Sequence, residues 1–526
     1  MFDRLSMPML LLCLLLGVSA HAQDKAHKTN VLVIMADDLG FADLGCYGGD
    51  IRTPNLDRLA RNGLRFSRFY NTGRCWTSRA SLITGYYHDQ MGTKGRPSWA
   101  QTLPQMLKPA GYRSYHSGKW HLEKWFEKPI ADAGFDRSYL FADFGRYFWP
   151  SEHYLDDKKL PAIDREDEDE DYYATTAKAD YMISFLEEHE QRHADKPFFA
   201  FLAFYAPHFP LHAPQEDIER YQFHYEDGWD ARRAEIFIRQ KQMGLIDTSL
   251  SPLERNILAP SGDAEQRKQL GPGEVPYAVR WFELTEEQKR FQSMKMRIHA
   301  AMIDRMDREI GRVISQIKKM GVYDNTLILF MSDNGASAEI MVRHDGHDPK
   351  ADPGSGDSYL CIGPGWSSSS NTPFRRHKIW THEGGISTPF IAHWPKGILG
   401  KGKLRHEPGH LIDLAPTILT LAGLKPASPV EDAPELPGED LGLVFSDQAE
   451  FWRRELYFHH AGNRALQNRD WKIVSSKTDN NRWALYDLST DRAEQRDVSA
   501  DHTLRMQEMT KRWERLNERF KKDAAK

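Results

Sequence analysis

Residues 29–38 read TNVLVIMADD. The unbroken apolar run is too short for a helix, and its β-branched residues suit a strand from Asn30 to Met35 buried on both faces. Two carboxylates, Asp37 and Asp38, stand at its carboxyl end. The same grammar recurs along the chain. PNLDRLARNGLRF (54–66) has helical spacing and a stop at Gly63. TLPQMLKPAGYRSYHSGKWH (102–121) reads as helix, glycine and short strand, followed by Lys119 and His121. DYMISFLEEHEQRH (180–193) is a helix and KPFFAFLAFYAPH (196–208) a strand ending near His208. AAMIDRMDREIGRVISQIKKMG (300–321) is a long amphipathic helix, TLILFMSDNG (326–335) a strand ending at Asp333 and Asn334, and STPFIAHWP (387–395) another strand. Alternating strands and helices give an α/β fold, a large mostly parallel sheet sandwiched by helices.

The end of the chain breaks the alternation. LKPASPVEDAPELPGED (424–440) is proline-rich and reads as a linker. Short strands in 455–476 and 482–491 and an amphipathic helix over 502–520 then predict a smaller C-terminal α+β domain over 441–526, behind a catalytic domain over 23–440. Residues 225–244 and the polar region to Gly273 read as a loop-and-helix insertion. DPGSGDSYLCIGPGWSSSSNTP (352–373) reads as an ordered loop near the site. The acidic stretch from Asp164 to Tyr173 reads as a solvated run rather than a metal site.

The first 22 residues have a basic Arg4, a short apolar core and an Ala20-His21-Ala22 cleavage pattern, which predicts a signal peptide and export to the periplasm or medium. No later apolar run is long enough to span a membrane. The net charge of −5 argues against a nucleic-acid binder. Of four cysteines, Cys13 leaves with the signal peptide. Cys46, Cys75 and Cys361 remain, an odd number that excludes a disulfide framework.

Chemistry in a parallel sheet collects beyond the carboxyl ends of strands. Asp37, Asp38, Asp333 and Asn334 make an oxygen-rich set suited to a hard cation, Ca²⁺ or Mg²⁺. Lys119 and His121 stand two apart, so an extended segment points both the same way. His208 is held between prolines, with His212 behind it, and Lys378 and His382 precede a glycine pair. Arg79, Lys119 and Lys378 together form a cationic nest for a tetrahedral oxyanion. Trp366, Trp380 and Tyr86 offer stacking surfaces or, as aromatics more often do, core packing.

Within GRCWTSRASLITGYY (73–87), Cys75-x-x-Ser78-Arg79 followed by Leu82 and Thr84-Gly85 resembles the type I sulfatases of the alkaline phosphatase superfamily. YGGDIRTPNLDRLARNGLRF, GKWHL, APHFPLHAP, MIDRMDREIGRV, SDNG and TPFRRHKIWTHEGGISTPFIAHWP extend the likeness from about Asn30 to Leu424. GWDARRAEIFIRQKQMGLI and GPGWSSSSNTPFRRHK look most like the bacterial arylsulfatase branch. The resemblance implies an alkaline phosphatase-like fold and oxidation of Cys75 to formylglycine by a maturation enzyme. One hydroxyl of the hydrated aldehyde attacks sulfur, and the other later expels sulfate. It also implies that Asp37, Asp38, Asp333, Asn334 and the converted Cys75 bind the cation, Ca²⁺ in preference to Mg²⁺. Arg79 would hold the hydrate, Lys119 and Lys378 the sulfate oxygens, with His208 the acid for the leaving group and His121 the base for the second hydroxyl.

Thr77 departs from the family pattern, which has proline or alanine two places after the cysteine, and lowers the expected extent of conversion. The implied substrate is an aryl sulfate or a sulfated carbohydrate, and Trp229 with several arginines in the insertion suits a sulfated carbohydrate. The alternatives are a phosphate or phosphonate ester hydrolase on the same architecture, or a sulfated-glycan binder without turnover.

Overall fold

The computed structural model describes residues 28–92, 96–143, 145–164, 172–343, 346–447 and 455–526; the expected signal peptide and most of the acidic stretch lie outside them. The strands are β1 (Asn30–Asp37), β2 (Leu64–Tyr70), β3 (Arg113–Gly118), β4 (Arg137–Phe141), β5 (His153–Leu155), β6 (Lys158–Lys159), β7 (Phe198–Pro207), β8 (Thr326–Ser332), β9 (Ser387–His393), β10 (Leu404–Arg405) and β11 (Gly409–His410) in the large body. Four more, β12 (Leu456–His460), β13 (Asn463–Asn468), β14 (Trp471–Ser475) and β15 (Trp483–Asp487), form a second sheet.

The large sheet runs β10-β2-β9-β8-β1-β7-β3-β4-β5-β6, with β11 also on β2. β1 is central and parallel to both neighbours, with Val31 opposite Phe199 on one side and Leu327 on the other. β3 and β4 continue in parallel, whereas β9 enters antiparallel between β8 and β2. The sequence expectation of a largely parallel sheet therefore holds.

Every residue of β1 is buried, and its side chains alternate between two cores. Leu32, Ile34 and Ala36 join the core under the helices Ala174–Arg192 and Glu286–Lys319. Val31, Val33 and Met35 join the opposite core with Leu82 and Ile83 of the helix Cys75–Thr84 and with Leu414 and Ile418. A run of apolar residues is needed because neither face meets water.

Residues 352–373 depart from the expected loop: Gly363–Ser370 form a helix. Its serines are buried: the hydroxyl of Ser368 donates back to the carbonyl of Pro364 at 2.8 Å, that of Ser367 to the Ala336 carbonyl at 2.9 Å, and that of Ser369 accepts from Arg232 at 3.0 Å. Local composition favours a loop here, but burial of Trp366 against Trp229 and Trp281 overrides it. Trp229, Trp366 and Tyr86 are fully buried and Trp380 is 6% exposed, so all four pack the interior.

The β12–β15 sheet is antiparallel throughout. One face carries Tyr457, Leu466, Ile473 and Leu485 against Met509, Trp513, Leu516 and Phe520 of the closing helix Thr503–Ala524. The other face, with Leu456, Phe458, Ala465 and Val474, packs against Tyr70 and Ile386 of the large body. Leu441, Val444 and Phe445, just ahead of this sheet, pack in the large body's core.

A buried charge cluster fastens the two units. The ammonium of Lys472 on β14 lies 2.8 Å from Glu383 and 2.8 Å from Glu494. Arg492 reaches Glu383 at 2.9 Å and Tyr70 donates to it at 3.1 Å. Burial opposes ionisation of Glu383, but Lys472 and Arg492 outweigh it and hold the carboxyl down at about 2. Lys472→Met leaves buried Glu494 without its ammonium and Glu383 with Arg492 as its remaining cation, and its expected cost is about 3–5 kcal/mol. Urea unfolding checks this, and a loss below about 1 kcal/mol would show that the cluster contributes little.

Candidate functional site

The parallel strands β1, β3, β7 and β8 end on one edge of the sheet, and their last residues bring the chemistry together. β1 delivers Asp37 and Asp38, β8 Asp333 and Asn334, β3 Lys119 and His121, and β7 His208. Asp38 bends away from the strand with φ 64°, a left-handed conformation that Asp tolerates better than most residues. The backbone N–H of Asp38 approaches Asp333 Oδ1 at 3.5 Å, and the amide of Asn334 donates to Asp38 Oδ1 at 2.7 Å. The two acidic strand ends are thus one site.

Cys75 opens the helix Cys75–Thr84 and is 2% exposed. Arg74 before it is extended, which turns the chain from β-like to helical at the cysteine. Three contacts clamp the helix start to the strand ends. The hydroxyl of Ser78 donates to the carbonyl of Asp333 at 2.5 Å. The guanidinium of Arg79 grips one carboxylate oxygen of Asp333 through Nε and Nη2 at 3.0 and 2.8 Å. Its Nη1 donates to the Lys119 carbonyl at 2.9 Å. Thr77 is fully buried. Its hydroxyl donates to the Arg74 carbonyl at 2.8 Å and lies 2.6 Å from that of Thr72. The folded chain therefore uses the threonine that breaks the motif.

Each cation of the nest is matched by a carboxylate. Lys119 bonds Asp37, and Lys378 lies 2.8 Å from Asp38 and 3.1 Å from Glu339. Arg74 lies 3.6 Å from Glu339. Burial raises the proton affinity of Asp37, but Lys119, His208, Arg79 and Lys378 outweigh it and hold the carboxyl far below its ordinary value. Glu339 is likewise held low by Lys378 and Arg74 against its burial. Asp333 goes the other way, raised by burial and by the charge of Asp37 beside it. Burial opposes protonation of Lys378, yet Asp38 and Glu339 hold its ammonium charged.

The histidines flank this array. Nε2 of His208 is 3.7 Å from Asp38 Oδ2, while Nδ1 sits 2.5 Å from the Phe209 carbonyl. Burial, against the pull of Asp38, lowers the His208 imidazole to about 4. His121 departs from the expected extended geometry. β3 stops at Gly118 and His121 has φ 65°, so simple alternation does not place it beside Lys119. It remains within electrostatic reach of Lys119, Arg79 and Asp37, and burial together with the two cations lowers its imidazole. His212, Cys46 and Cys361 serve the interior: Nε2 of His212 meets the Ser358 carbonyl at 2.7 Å, and among the described residues Cys46, Cys75 and Cys361 are free and buried. His382 lies 3.9 Å from Asp479.

Two oxygens test whether the site suits a cation. Asp37 Oδ1 and Asn334 Oδ1 are buried and accept no hydrogen bond, a costly state unless something else satisfies them. With Asp38 and Asp333 they supply mainly hard oxygen donors, the set a divalent cation takes. Asp37, Asp38 and His208 also lie within 4.8 Å of one another through their ligating atoms. Sequence reading omitted Glu339 and Arg74, which complete the charge pairs, and Tyr205, whose ring lies 4.8 Å from the Lys119 ammonium. None sits in a recognisable pattern; only Arg74, next to Cys75, carried a positional signal.

Comparison with known proteins gives a concordant result. The profile of the family described as Sulfatase matches residues 29–424. That of the N-sulphoglucosamine sulphohydrolase C-terminal region matches 375–523. The chain is similar to an arylsulfatase of Klebsiella aerogenes, 32% identical over 84% of this chain and 96% of that one. It is 26% identical to an N-acetylglucosamine-6-O-sulfatase of Bacteroides thetaiotaomicron, over 95% of this chain and 88% of that one. The crystal structure of Ps i-CgsB shares the fold at a TM-score of 0.66 and 25% identity, with 93% of both chains covered.

Proposed function

We propose, given that the chain belongs to the sulfatase family and hydrolyses sulfate esters, that its reaction centres on Cys75 after conversion to formylglycine. The convergence of three buried cations and two acidic strand ends on the first turn of the Cys75–Thr84 helix carries this reading. Formylglycine, as its hydrate, supplies a nucleophilic oxygen and a second hydroxyl through which sulfate can leave. Asp37, Asp38, Asp333, Asn334 and the converted residue hold a divalent cation, which supplies charge stabilisation. Ca²⁺ suits an oxygen-rich site with irregular geometry better than Mg²⁺, which demands a near-ideal octahedron and retains water.

The remaining roles fall to side chains already in place. Lys119 and Lys378 hold the sulfate oxygens, and their carboxylate partners keep them charged and oriented until the substrate arrives. Arg79 fixes Asp333 and the helix start in one geometry. In its imidazolium form, which the negative charge of a bound sulfate ester favours against burial, His208 gives its proton to the departing ester oxygen, and His121 takes one from the second hydroxyl. A sulfated carbohydrate is the substrate class, consistent with the sulfated-sugar activity named for the Bacteroides relative. Export places the enzyme in the periplasm or the medium.

Two measurements test the reading. The Cys75 peptide of protein made in its own host is expected to be lighter than the unmodified peptide by about 18 Da, the change from –CH₂SH to –CHO. Matched aryl sulfate and aryl phosphate esters should give a kcat/KM ratio favouring sulfate by at least about 100-fold. An unmodified thiol with bound glycan and no turnover would replace the enzyme with a binder. A ratio favouring phosphate would move it to the phosphoester branch.

A further inference from the structure

A second group of ligating side chains lies between the two sheets. His88 and Asp89 begin the short helix His88–Met91, just beyond the stop of the Cys75–Thr84 helix at Gly85. His459 stands on β12 of the C-terminal sheet. Their ligating atoms all lie within 4.8 Å of one another. Nδ1 of His459 is 2.8 Å from Asp89 Oδ1, and Nε2 of His88 is 3.4 Å from Asp89 Oδ2.

The hydrogen bonding is incomplete where the group is most deeply buried. Asp89 Oδ2 is buried and accepts no hydrogen bond. His88 is 7% exposed, so water does not compensate. Asp89 Oδ2 faces Nε2 of His88 at 3.4 Å without a hydrogen bond between them. That spacing matches two ligands of a tetrahedral zinc ion, about 3.3 Å apart for bonds of 2.0–2.1 Å.

We propose that His88, Asp89 and His459 form a metal site separate from the strand-end site, taking a late first-row divalent ion such as Zn²⁺. Two imidazoles and one carboxylate are the donors such ions select, whereas the strand-end set is mainly oxygen. Binding through Nδ1 of His459 takes the tautomer with its proton on Nε2, and the ion then replaces the contact to Asp89 Oδ1. The ion joins the helix His88–Met91 to β12 and so fastens the C-terminal sheet at a second point, apart from the Lys472 cluster. Trp76, next to Cys75, stands edge-on to His88 with ring centroids 5.5 Å apart, so the site abuts the start of the catalytic helix.

The test uses the full chain, stripped with chelator and then saturated with Ca²⁺ so that the strand-end site is filled. Co²⁺ and Zn²⁺ are the probes. Wild type is expected to take up one equivalent of Co²⁺ with the visible absorption of a tetrahedral ion, and to melt at a higher temperature when Zn²⁺ is added. Asp89→Asn and His459→Ala should each weaken uptake by at least about 100-fold and abolish the zinc-dependent shift. His459 is partly exposed, so its alanine variant keeps a measurable melt without metal. No Co²⁺ uptake by calcium-saturated wild type would overturn the proposal and leave a hydrogen-bonded triad. Uptake unchanged in both variants would overturn it too, by placing the ion elsewhere.

Discussion

Turnover of an aryl sulfate is expected to fall by at least about 10⁴-fold in the Cys75→Ala protein, while the fold survives. Alanine cannot become an aldehyde and offers no oxygen to attack sulfur. The structural cost is small because the lost group is one sulfur atom at the first turn of a helix. The contacts that clamp that turn come from Ser78 and Arg79, not from the cysteine. A loss of about 1 kcal/mol in urea unfolding is the expected scale. Kinetics and unfolding on the same preparation decide the matter. Activity above one-hundredth of wild type in the folded variant would remove Cys75 from the reaction.

Asp333→Ala should act on two observables at once. Asp333 accepts both bonds from the Arg79 guanidinium and lies against Asp38. Its removal leaves a buried Arg without its main carboxylate, and breaking such a pair costs about 3–5 kcal/mol. It also deletes one oxygen donor of the strand-end set, so calcium affinity should fall by at least about 100-fold. Asp333→Asn separates the effects: it keeps an acceptor for Arg79 and recovers part of the stability, but it lacks the charge that attracts the cation. Calcium titration calorimetry and urea unfolding of both variants provide the readouts. Calcium binding at wild-type strength in folded Asp333→Ala would take Asp333 out of the ligand set.

Sequence reading succeeded where one local pattern had one physical cause. β1 was legible because a strand covered on both faces must be apolar throughout, and the acids after Ala36 mark where it reaches a polar edge. Asp333 and Asn334 were legible for the same reason at the end of β8. The reading failed where distant contacts decide. Ser367 to Ser370 look like a loop until Trp366 is buried between Trp229 and Trp281. His121 follows a glycine with φ 120° and itself adopts φ 65°, a turn that the GKWH string does not announce. Glu339 and Tyr205 reach the site from separate segments, and their importance lies in the lysines they meet.

The burial of the segment around Cys75 sets a schedule for the newborn chain. Thr77 and Arg79 are 0% and 1% exposed in the finished fold. Asp333, which closes over Arg79, is synthesised 254 residues after it. At ~5–20 residues per second, a ribosome takes roughly 13–50 s to cover that distance. A modifying enzyme that must read the thiol together with its flanking residues has that interval, before the sheet edge assembles. On the formylglycine reading proposed above, copies that miss it would stay thiols for as long as they stay folded.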